Sequence, residues 1–303
     1  MNVKLFKERL IKTILFLCAA SSIGVIFFIV FSVVQQGYSQ IVDWFAHGFG
    51  MQWVPDPNLG PYGITPLIFS TLYVGFGGAL VATAIGLPCA IYLAEFANKS
   101  VRNVVKPALE MLTGFPSVVM GVVGLTVVCF TISRYLTPAT KGYGALAAWI
   151  VLGVMSLPTI ATVSEDALKS VPQELKEASL ALGATKWQTT LRVLLPVAAS
   201  GIVAAFLLVL GNATGETMAV ILVIGNQYPL PITLNPLVAN NVLTALIAQR
   251  SQGDAGNVTP EYHAVFAAAF VLFLITAAMN LAVRAVLARR GKNRPYVDLL
   301  RRP

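Results

Sequence analysis

Charge is scarce in this chain. Only 11% of its 303 residues are Asp, Glu, Lys or Arg, where soluble domains carry roughly a quarter. Too little polar surface remains to cover a water-soluble fold. Histidine is nearly missing: His47 and His263 stand far apart and carry no chemical role. The three cysteines, Cys18, Cys89 and Cys129, fall in separate apolar blocks. That spacing suits neither a disulfide framework nor a metal site, and it leaves packing as their use. There is no GxxxxGK[ST] phosphate loop, which rules the chain out as a P-loop ATPase. No nucleophile, base or metal set gathers at either end, so a membrane enzyme is disfavoured and no cofactor is expected.

Apolar sequence is what the chain has instead. Its residues are 56% hydrophobic, its mean hydropathy is +0.75, and the apolar stretches come as long blocks at 11–34, 66–93, 109–132, 145–163, 197–224 and 263–287. Each is close to or above the ~20 residues that a bilayer-crossing helix requires. The expectation is an all-α polytopic membrane protein with six transmembrane helices in the lipid bilayer of the cell membrane. Basic residues set its direction. With an inside amino terminus, eighteen of the 21 Lys and Arg fall on inner segments, and only Arg134, Lys141 and Arg250 fall outside. Both termini are therefore expected in the cytoplasm. The formal charge of +8 reads as that bias, so nucleic acid is not an expected partner. The first block is too long for a signal-peptide core and lacks a convincing small-residue cleavage site, so it is expected to stay as a helix.

Two outer loops follow from this threading. The first, 35–65, holds Trp44, Phe45, Phe49, Trp53 and Tyr62. These form either an aromatic belt at the membrane interface or part of a seat for an external partner. In the second, 225–262, residues 234–248 are apolar enough for a short helix packed on the bundle or re-entering it. Residues 251–257 look like an exposed tip. Asn257-Val258-Thr259 matches a glycosylation triplet, a short pattern that carries little weight.

Three features interrupt the spans. Thr113-Gly114-Phe115-Pro116-Ser117 breaks into the third block and Ser156-Leu157-Pro158-Thr159 into the fourth. Proline removes a backbone donor and strains the preceding turn, so a kink or break is expected. A broken helix also turns free N–H groups and the positive end of its dipole toward an anion. At Pro116 that use stands beside a plain packing kink; at Pro158 the kink is the expected outcome. The third feature is Glu216, the one ionisable residue well inside the fifth block, with Asn212, Thr214 and Thr217 around it. Thirteen Leu, Ile, Val and Phe residues between positions 197 and 224 contribute about −6 kcal/mol to insertion. One acid costs about 2.5–3.5 kcal/mol, so the helix still inserts but its acid needs a polar partner or a watery cavity. Asn212 lies one turn earlier on the same face, and Gly211 with Gly215 makes a GxxxG pair for close helix approach. A transport pathway and a structural hydrogen-bond knot both remain open.

Residues 170–196, SVPQELKEASLALGATKWQTTLRVLLP, read as two short helices with a sharp turn. Ser170, Pro172 and Gln173 suggest a capping box for the first. Leu175, Ala178 and Leu182 then share a face. Gly183 supplies a left-handed stop, and Thr185 with Gln188 caps the second helix. A charged two-helix projection is either presented to a partner or rests on the lipid surface.

Glu177-Ala178-Ser179, Gly183 and Leu194-Leu195-Pro196 resemble the EAA loop of ABC importer permeases. The segment GNATGETMAVILVIGN, 211–226, is similar to the matching segment of phosphate permease subunits of the PstC type, and Phe115 to Gly121 resembles the third-span motif of that group. The resemblance runs from about position 66 to the carboxyl end and implies the type I ABC importer permease fold. It implies a division into 1–65 (tail, first helix and outer loop), a permease core over 66–290 and a cytoplasmic tail over 291–303. In that family the loop between the fourth and fifth spans docks on the ATPase subunit. Carried over, this places Glu177, Ala178, Ser179, Gly183, Ala184, Lys186 and Pro196 in the docking loop. Phe115, Pro116, Ser117, Asn212, Thr214, Glu216 and Thr217 fall along the translocation path. The implied partners are a companion permease (PstA-like), ATP-binding cassette ATPase subunits and an extracytoplasmic phosphate-binding protein.

One departure bears on the substrate. Phosphate permeases of this type usually carry an arginine at the second position of the 211–226 motif, where this chain has Asn212. An ionised Glu216 without that arginine would repel a phosphate dianion in low dielectric. Either the acid is protonated, or the companion supplies the cation, or the substrate is another oxyanion such as molybdate, tungstate or sulfate. An ion-coupled secondary carrier using Glu216 is the rival from another class, although the internal repeats common in such carriers are not evident.

Overall fold

The computed structural model describes residues 3–54, 62–228, 232–251 and 260–292. The chain is helical almost throughout, and the extended pairings among the described residues are two isolated bridges, Trp53 with Tyr62 and Gly225 with Asn240. In chain order the helices are α1 (Val3–His47), α2 (Thr65–Ile91), α3 (Lys99–Thr113), α4 (Ser117–Val123), α5 (Phe130–Tyr135) and α6 (Ala145–Lys169). They continue as α7 (Gln173–Ala181), α8 (Lys186–Thr189), α9 (Leu195–Gly215), α10 (Met218–Val223), α11 (Leu243–Arg250) and α12 (Pro260–Lys292). Wider π-type turns join α4 to α5 and α8 to α9, and another extends α2 to Phe96. Six stretches among the described residues are long and apolar enough to cross a bilayer: Glu8–His47, Thr65–Phe96, Ser117–Tyr135, Ala145–Lys169, Lys186–Gly215 and Glu261–Val286. The all-α, six-span reading holds, with several boundaries moved.

The heart of the bundle is the pair α2 and α6, which run side by side in the same direction. Lipid tails offer helices little hydrophobic reason to associate, so close approach must come from small side chains. Here it does. A Cβ on Gly77 would lie 2.1 Å from the Trp149 ring, one on Gly86 1.8 Å from Ile160 Cγ2, and one on Gly153 2.4 Å from Val81 Cγ1. Trp149 Nε1 adds a bond to the Tyr73 carbonyl at 3.2 Å. Overpacking a site this tight costs about 1–3 kcal/mol or more. Gly86→Val should therefore lower the thermal midpoint of the detergent-solubilised protein, whereas Gly24→Val, on the open stretch of α1, should leave it unchanged.

α1 spans 45 residues, about 68 Å at 1.5 Å per residue, and so absorbs part of the loop expected at 35–65. From Glu8 to Ile29 it is exposed. Its second half packs on α12, where His263 Nδ1 meets the Gln36 carbonyl at 2.5 Å. The aromatic residues of that loop separate into two groups. Trp44, Trp53 and Tyr62 are buried against Leu243, Leu246 and Ala264, with Trp44 Nε1 donating to the Tyr62 carbonyl at 2.8 Å. Phe45 and Phe49 stay exposed, ring to ring at 5.9 Å. Three of the five aromatic residues of the expected belt are therefore core.

Two further expectations need correction. The third block is not one helix: α3 is a separate amphipathic segment with no buried residue, and the spanning helix begins at Ser117. The chain breaks at Gly114–Pro116, as expected for Pro116, whose ψ of 137° is extended. In the fourth block Pro158 is buried and α6 runs on through it, so of the kink or break expected at 156–159 the break does not form. The short helix expected at 234–248 forms only over Leu243–Arg250, because Asn235, Asn240 and Asn241 bond their own neighbouring backbone N–H groups and hold the preceding stretch irregular. Residues 252–257, most of the tip at 251–257, and the triplet at 257–259 lie outside the described residues, as does the tail at 293–303.

Candidate functional site

Two places carry the residues singled out above: the elbow between α6 and α9, and the broken end of the fifth span. The elbow is built by local rules. Ser170 is not the N-cap of α7. It closes α6 instead, with its Oγ donating to the Ala167 carbonyl at 2.8 Å, and the extended Pro172 leads α7. Proline fixes its own φ and keeps the residue before it from helix, which is why the start moves past Ser170. Gly183 adopts φ +85°, the left-handed stop that favours glycine. Thr185 and Gln188 make the reciprocal capping box: Gln188 N donates to Thr185 Oγ1 and Thr185 N to Gln188 Oε1. Ser179 and Thr189 hydroxyls meet at 3.0 Å across the turn and set the two helices against each other.

The surface this elbow shows is unusual for a polar projection. Leu182 is 90% exposed, and Leu175, Leu180 and Trp187 are exposed with it. Glu177, Ala178, Gly183 and Lys186 share that exposure, while Ser179 and Ala184 are half-buried. Pro196, exposed near the start of α9, lies beyond the turn. A Cβ on Gly183 would meet nothing within 4 Å. An apolar knob rimmed by charge is the pattern of a surface made to be covered.

The fifth block is two helices. α9 ends at Gly215, Glu216 is extended with ψ 129°, and α10 starts at Met218. Glu216 is thus at a helix break, about 31 Å of helix along from Leu195 and nearer the end opposite the elbow. The break removes the shared face with Asn212, which is exposed. Glu216 Oε1 instead accepts from Ala219 N at 3.4 Å, at the start of α10, and its carbonyl accepts from Thr244 Oγ1 at 3.0 Å. A small cleft beside it is lined by Thr71, Val74, Thr214, Val242 and Thr244. Thr214 is buried and Thr217 half-buried. Among the described residues no helix closes on the glycine pair: a Cβ on Gly211 would make only an ordinary contact with Met279, and one on Gly215 would meet nothing within 4 Å.

The second element of the expected path meets the first. A Cβ on Gly121 would lie 3.0 Å from Ala219 Cα and 3.2 Å from the Met218 carbonyl, so α4 crosses α10 closely. That crossing puts the Phe115–Ser117 break and the Glu216–Thr217 break on neighbouring chain segments. Val118, Val119, Val122 and Met218 around it are exposed, as is Phe115. Beyond α10, Asn241 Nδ2 donates to the Tyr228 hydroxyl at 2.6 Å, and burial pushes that phenol up to about 12, so it stays protonated.

A third group went unnoticed in the sequence because the fourth apolar block stops at 163. α6 continues two turns further and buries Glu165 to 1% exposure. Arg102 binds it at 2.9 Å, Lys106 lies at 3.7 Å, and Lys169 contacts it one turn on. Nearby, Lys176 of α7 pairs with Glu95 at 2.5 Å. The legible signal was Glu165 four residues before Lys169, ahead of the elbow. Among the described residues no group of His, Cys, Asp and Glu is placed to hold a metal ion.

The comparisons agree with this architecture. The family described as "Binding-protein-dependent transport system inner membrane component" matches residues 86–292. The probable ABC transporter permease protein YqgH of Bacillus subtilis is 37% identical over 240 residues, covering 79% of this chain and 76% of that protein. The phosphate transport system permease protein PstC of Xylella fastidiosa is 33% identical over 263 residues, covering 80% and 79%. Among solved structures, a chain of the inward-facing MetNI methionine ABC transporter aligns with TM-score 0.56 at 24% identity, over 75% of this chain and 99% of that one. A bacterial ABC transporter that imports alginate aligns at 0.52 and 19%, over 93% and 99%. The structural likenesses carry the fold alone, and the family match and relatives carry the rest. This chain belongs to the binding-protein-dependent transport system inner membrane components and is a multi-pass permease subunit of an ABC importer.

Proposed function

We propose that this permease passes inorganic phosphate, received from an extracytoplasmic phosphate-binding protein, into the cytoplasm. The observation that carries the substrate is the 33% identity to a phosphate transport system permease over four-fifths of the chain. Both termini and the elbow face the cytoplasm, in line with the bias of Lys and Arg, and residues 66–290 form the permease core. The chain itself is non-catalytic: ATP is hydrolysed by separate cassette subunits that grip Glu177, Ala178, Ser179, Gly183, Ala184 and Lys186, with Pro196 starting the span behind them. A PstA-like companion covers the open face around Asn212, Gly215 and Phe115, where this chain leaves small and apolar groups exposed. The path runs between the two permeases past Phe115, Pro116, Ser117, Asn212, Thr214, Glu216 and Thr217. Closure of the ATPase pair would pull the elbow and rock the bundles from outward to inward. Tight binding in the path would slow release, so the binding protein carries most of the selectivity. The companion supplies the cation that Asn212 does not.

Uptake by the assembled transporter in proteoliposomes tests the substrate. Labelled phosphate should enter with ATP, and unlabelled phosphate should compete. Competition by molybdate or sulfate but not by phosphate would move the assignment to another oxyanion. Uptake by this chain alone, driven by an ion gradient, would replace the importer reading altogether.

A further inference from the structure

We infer that Glu165 is the positioning residue that hands elbow movement to the pathway helices. This deepens the docking role proposed above and rests on it. The elbow hangs from the last turn of α6, where Glu165 is 1% exposed and faces three cations. Two of these, Arg102 and Lys106, belong to α3. That helix has no fully buried residue, only a half-buried apolar face of Val101, Val105, Leu109 and Leu112, and its polar hold on the bundle is this cluster together with the bond from Arg102 Nη2 to the Leu93 carbonyl at 3.0 Å. A charge taken out of water needs close partners, and removing one member of such a group leaves the others uncompensated. The cluster is therefore a strong polar fastening between α3 and the elbow end of α6.

What α3 leads to gives the fastening its purpose. Residues 114–116 break the chain, and α4 then packs on α10 beside Glu216 and Thr217. Glu165 and Val151, which faces Gly124 after α4, are about 21 Å apart along α6. Displacement at the elbow end of α6 thus reaches the path through α3 and the Gly114–Pro116 break. The Lys176–Glu95 pair draws α7 and the end of α2 into the same corner. Coupling of this kind is carried by rigid elements joined through a few discrete contacts.

The test uses the complete transporter, with ATPase subunits, companion permease and binding protein, in a background lacking Cys18, Cys89 and Cys129. Spin labels at Met111 and Phe45, both exposed, report the position of α3 against the opposite end. In the unaltered clamp, ATP binding should shift that distance. Glu165→Gln should abolish the shift and lower uptake about tenfold, the scale of a coupling free energy, with ATPase subunits still retained. Glu165→Asp should restore part of both. Normal uptake or a normal shift in Glu165→Gln overturns the inference, and so does loss of its ATPase subunits, which would make the cluster a mere anchor of the fold. If Glu165→Gln does not insert, Lys106→Met decides. It leaves two cations in place and should cost about threefold in uptake; unchanged uptake and shift again overturn the inference. Failure of the unsubstituted chain to hold ATPase subunits is a separate result. It would remove the docking reading, and this inference with it.

Discussion

Gly183→Asp should stop ATP-driven uptake and leave the protein in the membrane. The residue stands at φ +85°, where an L side chain costs roughly 1–2 kcal/mol. That strain is confined to an exposed turn and is too small to unfold a six-helix bundle. A Cβ there also meets nothing of this chain within 4 Å, so the substitution is silent until a partner closes over it. An unpaired carboxylate buried in that contact costs several kcal/mol. At 1.4 kcal/mol per tenfold, docking weakens by at least about a hundredfold. The measurement is retention of ATPase subunits on the tagged permease, read beside uptake and beside the amount of protein in the membrane. Full retention with full uptake would remove the elbow from the coupling.

The second large effect falls at Glu216. Its side chain caps the start of α10 through Ala219 N at 3.4 Å, and its carbonyl is held by Thr244 Oγ1 at 3.0 Å. Glu216→Ala removes the acceptor at the break and opens the cleft beside it. Loss of a helix cap costs about 1 kcal/mol, and misplacing the α4–α10 crossing adds to that, so uptake should fall about tenfold. Glu216→Gln keeps an acceptor of the same shape and should recover most of the loss. Labelled-solute uptake at saturating binding protein separates the two variants. Equal losses in Ala and Gln would mean that the charge, not the cap, is what transport needs.

The legibility of this chain followed the range of the forces involved. Six spans were readable because apolar length is a one-dimensional property, and Gly183 and the Thr185–Gln188 box because turns and caps are decided within four residues. Ser170 went the other way: capping box and helix end compete for the same hydroxyl, and Pro172 decided it. The break at Glu216 was hidden because Gly215 and Thr217 do not forbid a helix; the Thr244 bond from a segment 28 residues on holds the chain extended there. Glu165 was missed for a related reason. Its partners Arg102 and Lys106 are about sixty residues earlier, and only the packed bundle brings them to one carboxylate. Trp44 and Trp53 looked like surface aromatics until α11 and α12 covered them.

Cross-linking from opposite ends of the molecule tests the gripped elbow most directly. In a chain lacking Cys18, Cys89 and Cys129, single cysteines at Leu182 and at Phe45 present equally open sites, 90% and 78% exposed. In native membranes of cells making the whole transporter, Leu182→Cys should cross-link to an ATPase subunit, more so when ATP is trapped, and Phe45→Cys should not. An ATPase adduct at Phe45→Cys with none at Leu182→Cys would contradict both the orientation and the docking of the elbow.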